Sequence, residues 1–182
     1  MWIRKAPYPV KPDLPSITRH DQLPTGCKQL ASISDNTSDR HLYFVNNHGF
    51  LSILDMVDRQ RKDGSWLYHC AQDDFPLELL IWLPIALEEF QKPPAEGGLH
   101  AGGIATPDMN VGGEMLSLVR ALGSDQGRGG YGVDNYSRCV RDKNIETSFT
   151  PHSVSWASRF LYEGGLLNLI IELGEKLKVG KL

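Results

Sequence analysis

The chain has little of what normally assigns a function on sight. Its 182 residues contain three cysteines, Cys27, Cys70 and Cys139, an odd and widely spaced set without a CxxC pair. A disulfide scaffold and a paired-cysteine zinc site are thereby excluded, and a reducing, cytoplasmic compartment is expected. Prolines interrupt the N-terminal stretch before an apolar signal-like region can form. No apolar run approaches the roughly 20 residues of a membrane-spanning helix, so no membrane partner is expected. Neither sign of charge dominates. Residues 1–92 carry 10 cations and 12 anions, the remainder 9 and 10, and the net charge is −3. That balance gives no global basic surface for phosphate neutralisation. HExxH, P-loop and aspartate-rich calcium signatures are missing, and no metal or cofactor is expected. No internal repeat and no heptad register is visible.

What the chain does have is ordinary globular content, 41% hydrophobic and 23% charged, at a length that suits one well-buried domain. The longest apolar run is Phe75 to Phe90, FPLELLIWLPIALEEF. Being apolar on all sides, it predicts a buried central helix, kinked near Leu80 to Leu83 because Pro84 removes a donor and crowds the preceding turn. Five of eleven prolines fall between Met1 and Pro24, which predicts an extended arm over residues 1–25. Its apolar residues, among them Trp2, Tyr8 and Ile17, suit an arm laid along the body or along a partner.

Residues 26–182 read as a single α+β domain, mainly helical, with a small sheet. His41 to Asn46 and Ser65 to Ala71 predict strands. Helices are predicted at Cys27 to Ile33, from Phe50 with a stop before Gly64, at Glu114 to Leu122, from Thr150 with Pro151 at its first position, and from Leu166 to Leu177. Two glycine-rich stretches, Lys92 to Gly113 and Gly123 to Gly132, predict loops, and so long a loop as the first is uncommon without a function.

Several residue sets bear on function. Cys27 at a helix start could be a nucleophile with His48, His100 or His152 as base, although a buried, inert cysteine is the commoner arrangement. His69 and Cys70 are adjacent and point to opposite faces of a strand, and Asp73, Asp74, Glu88 and Glu89 read as solvated helix-end acids rather than metal ligands. The glycines of GSDQGRGGYG could form an anion nest beside Arg128, but the flanking strand and helix of a dinucleotide fingerprint are missing, which favours an ordinary loop. Arg120, Arg128, Arg138, Arg141 and Lys143, with Tyr131 and Tyr136, could contact single-stranded nucleic acid, with Asp125, Asp134 and Asp142 reducing the charge.

The reading that uses most of these features is a non-enzymatic protein-interaction factor, accessory or inhibitory. It would act through the arm and the glycine-rich loops, with Trp2, Tyr8, His100, Met109, Arg128 and Tyr131 as contact residues. At least two of Trp66, Trp82 and Trp156 should be core. A small cysteine-dependent hydrolase or transferase and a single-strand nucleic-acid binder are the alternatives.

Overall fold

The computed structural model describes residues 5–36, 38, 40–124, 127–140 and 148–182. Among these the chain forms two four-stranded antiparallel meanders, each followed by helix. Strands β1 (Cys27–Ser34), β2 (His41–Asn47), β3 (Phe50–Gln60) and β4 (Trp66–Pro76) lead into α1 (Leu79–Glu89). Strands β5 (Met109–Val111), β6 (Glu114–Arg120), β7 (Gly130–Cys139) and β8 (Pro151–Ala157) lead into α2 (Ser158–Tyr162) and α3 (Leu166–Lys178). The expected mainly helical domain is thus corrected to a mostly β architecture. No helix among the described residues is long and apolar enough to cross a membrane.

β3 was expected to be helical because its apolar residues do not alternate. In the fold Leu51, Ser52, Ile53 and Leu54 are all buried, since both faces of this strand are covered. Leu51 and Ile53 point with Leu42, Phe44 and Phe75 into the main core. Leu54 and Met56 point the other way, into a second cluster with Val45 and Ile17. β8 alternates His152, Val154 and Trp156 inward, so the Thr150–Pro151 pair starts a strand and not a helix. Cys27 to Ile33 lies within β1, with a register shift between Gln29 and Ala31, and Glu114 to Leu122 contributes β6. The predicted strands at His41 and Ser65 are present within β2 and β4, and α3 matches the predicted C-terminal helix closely.

The apolar run at residues 75–90 divides. Phe75 and Pro76 end β4, and the helix begins at Leu79 and continues through Pro84 to Glu89. Leu79, Leu80, Leu83 and Leu87 of α1 face the core between the sheets and α3, while Ile85 on the opposite side is 57% exposed. Burying each such leucine contributes about 1.5–3 kcal/mol against leaving it in water. Trp156, fully buried, anchors the second-sheet side of the same core. Trp82 is half-buried and Trp66 is exposed, so one of the three tryptophans is fully core.

The arm is a strap over the outer face of the first sheet. Ile17 is buried in the second cluster and His20 stacks on Tyr43 at 4.0 Å. The Asn47 amide donates to Pro15 O (3.0 Å) and the Ile17 N–H donates to Gln72 Oε1 (2.7 Å). At its other end the Lys11 N–H donates to Ser137 O on β7 (2.8 Å), so the strap spans both sheets.

Candidate functional site

Two places gather chemistry-bearing side chains. The first is the junction where β4 meets the inner face of the second sheet. Asn135 Nδ2 donates to Glu114 Oε2 (2.6 Å) and to the Asp74 carbonyl (2.9 Å). Arg138 closes on Glu114 at 2.6 Å with both side chains almost fully buried, and its Nη1 donates to Pro12 O of the strap (3.1 Å). The Asp74 N–H donates to His152 Nδ1 (3.0 Å), and the Ser153 N–H to Asp73 Oδ1 (3.0 Å). Accepting at Nδ1 places the proton of the neutral ring on Nε2. Burial lowers the His152 pKa, which favours that neutral ring. Burial also pushes the Asp73 carboxyl up to about 6.

A cleft of about 200 Å³ opens beside the junction, lined by Asp13, Leu14, Gln72, Asp74, Cys139 and His152 among others. Gln72 accepts from the Ile17 N–H of the strap. The Asp74 carboxylate accepts from Ser52 Oγ and Gln72 Nε2. Asp73 and Asp74, expected as solvated acids at a helix end, are instead strand residues, and Asp74 is buried. The arrangement ties the two sheets and the strap together, as hydrogen-bonded buried polar groups do.

The helix start expected to activate Cys27 is not present. Cys27 starts β1 and not a helix, and its thiol donates to Asn47 Oδ1 (3.2 Å). Burial, with the Asp74 carboxylate adding to it, raises its pKa and so disfavours thiolate. His48 lies beside Gly26, in the His48-Gly49 turn between β2 and β3, where both residues have the positive φ of a type I′ hairpin. His100 is exposed in the long loop, with its carbonyl accepting from the Gly103 N–H.

The basic cluster also separates. Arg138 is buried in its ion pair, and Arg120 lies over the rings of Phe90 and Tyr131 at 4.9 and 5.9 Å. Arg141 and Lys143 lie outside the described residues, as do Asp125, Asp142 and Trp2. Arg128 is exposed. Tyr131 packs edge-on against Phe90 (5.5 Å) and Tyr162 (6.2 Å), so its ring serves the body of the protein. Gly130 and Gly132 belong to β7. A side chain at Gly130 would meet the Trp156 carbonyl, which accounts for glycine there by strand packing.

The second place is a groove of about 330 Å³ between the outer side of α1 and the loop that follows it. Trp82, Ile85 and Ala86 form one wall, Leu99, Pro107 and Met109 the other, with Glu89 at its edge. Met109 is 49% exposed. The strap reaches this loop: the Tyr8 hydroxyl donates to the Asp108 carboxylate (2.7 Å), and Tyr8 lies against the Tyr136 ring. Of the six residues expected as contacts, Met109 lines the groove, and Tyr8 and His100 belong to the segments around it. The segment that builds the groove, residues 77–113, contains Glu78, Glu88, Glu89, Glu96 and Asp108 against the single cation Lys92, a net of −4 in a chain of net −3. Lys92 is itself paired with Glu89 at 2.6 Å. Exposed apolar side chains on an acidic segment are suited to receiving an apolar group flanked by cations.

No family model, curated protein or solved structure matches this chain.

Proposed function

We propose that the protein is a non-enzymatic interaction factor whose groove between α1 and residues 97–109 binds a cationic, apolar-anchored segment of a protein partner. The observation that carries this reading is the pairing of an apolar groove with a net −4 segment. A helix that already buries Leu79, Leu80, Leu83 and Leu87 still presents Ile85 and part of Trp82 to water. Solvation alone does not favour such a surface, and aromatic and apolar anchors in a shaped groove are where binding energy concentrates. The acidic segment would speed encounter and select against acidic partners. The three unpaired cysteines are in keeping with a reducing, cytoplasmic setting.

The test uses two fluorescein-labelled amphipathic peptides with the same leucine and tryptophan anchors, one with lysines on its polar face and the other with glutamates. Fluorescence anisotropy should show the lysine peptide binding, more weakly as salt rises, and the glutamate peptide not binding. Ile85→Lys should abolish the binding. Failure of both peptides to bind, or binding indifferent to Ile85→Lys, overturns the reading.

A further inference from the structure

The β3–β4 hairpin outgrows its sheet. Pairing of β2 with β3 ends at His41 opposite Met56, whereas β3 and β4 remain paired from Val57 opposite His69 to Gln60 opposite Trp66. Beyond Met56 the chain is therefore a two-stranded ribbon, closed by residues 61–65. Such a ribbon is marginal in water without something packed on it. Its base is held by the strap, where the Tyr68 hydroxyl donates to Thr18 O (3.0 Å) and Arg19 lies over the Tyr68 ring. Its tip carries Trp66, 68% exposed, beside the exposed Arg61 and Lys62. Residues 57–69 hold Arg59, Arg61 and Lys62 against Asp58 and Asp63, a net of +1. Asp63 is occupied within the turn, accepting from both the N–H and the hydroxyl of Ser65.

An apolar anchor flanked by cations is the chemistry that the groove calls for, and the chain supplies it itself. We infer that the ribbon tip of one molecule docks into the groove of a second copy, Trp66 entering between Ile85 and Met109 while Arg61 and Lys62 meet the acidic segment. This inference rests on the reading of the groove given above and names its partner. The two surfaces are different, so the contact is head to tail, and a docked pair keeps one free tip and one free groove. Such a contact propagates into a ring or an open filament.

Sedimentation velocity on the full chain tests it. The wild type should form species larger than a monomer as concentration rises, and added salt should reduce them. Trp66→Ser and Ile85→Lys should each weaken association at least about tenfold, as loss of an interface anchor does. Both positions are exposed, so neither change disturbs the core. Arg61→Glu combined with Lys62→Glu provides a second ribbon variant with the same expected loss. The decisive sample is an equimolar mixture of Trp66→Ser, which keeps its groove, and Ile85→Lys, which keeps its ribbon. It should form a dimer and nothing larger. A wild type that stays monomeric overturns the inference, as does a mixture that stays monomeric or a Trp66→Ser variant that associates like the wild type. If the lysine peptide binds a monomeric wild type, self-docking falls and the groove reading stands. If neither the peptide nor a second copy binds, both fall.

Discussion

Gly174 of α3 lies directly against the Leu80 carbonyl of α1, so closely that an added Cβ would stand 2.6 Å from that oxygen. The carbonyl is the one to which residue 84 would ordinarily donate, and residue 84 is proline. Two sequence features that weaken isolated helices, an internal proline and an internal glycine, therefore meet at one contact between the two main helices. The contact fixes the depth at which α1 is seated, and with it how far Ile85 stands out on the other side.

Gly174→Ala should lower stability by about 1–3 kcal/mol, because the two backbones must part to admit the methyl group. The gain in helix propensity, up to about 1 kcal/mol, acts in the opposite direction and is smaller. Urea denaturation measures the difference. An unchanged or raised midpoint would show that the helices can separate freely.

Glu114→Ala should cost about 3–5 kcal/mol, since it leaves the Arg138 guanidinium buried without its counter-charge. Arg138 also holds Pro12 O, so the strap should loosen. Limited proteinase K digestion should then cut within residues 11–19 faster than in the wild type. A variant with reduced stability but unchanged cleavage there would separate the ion pair from the strap.

Asp73 gives a pH dependence whose sign follows from burial. The folded carboxyl holds its proton up to about pH 6, against an ordinary value of 3.8. Between those values the folded state binds more protons than the unfolded one, so stability falls as pH rises from about 4 to 6 and stays lower above. Asp73→Asn should therefore stabilise the protein at pH 7, on the order of 1–3 kcal/mol, with the difference vanishing below about pH 4. Urea midpoints of the two proteins from pH 4 to 8 test this. A constant difference across that range would refute it.

Cys27 should react sluggishly. Its raised thiol pKa and its bond to Asn47 predict alkylation by iodoacetamide at pH 7 more slowly than free glutathione, read by mass spectrometry of the Cys27 peptide. Faster reaction would return the nucleophile reading to contention.

Much of the architecture was hidden from the sequence for identifiable reasons. Period-2 alternation reports a strand with one wet face, and β3 has none because the strap covers its second face. The strap could be anticipated as an arm from its prolines, but not its route, which depends on side-chain bonds such as Gln72 to Ile17 N–H, 55 residues apart. Asp74 and His152, separated by 78 residues, meet only because the second meander lays β8 beside β4. At the groove, the sequence showed the loop and Met109. It hid the charge, because dividing the chain at Lys92 cuts the acidic segment in two and averages it away. A sliding count over residues 77–113 exposes it. The apolar run at residues 75–90 was legible as core, and the exposure of Ile85 was not, since a run apolar on every side does not say which side is left uncovered.

The central claim is that the groove is where this protein binds, and side-chain methyl NMR tests it most directly. With isoleucine and methionine methyls labelled, titration of the lysine peptide should shift Ile85 and Met109, with Ile53 at the buried centre of the first sheet unmoved. Shifts confined to residues far from α1, or none at saturating peptide, would contradict the account.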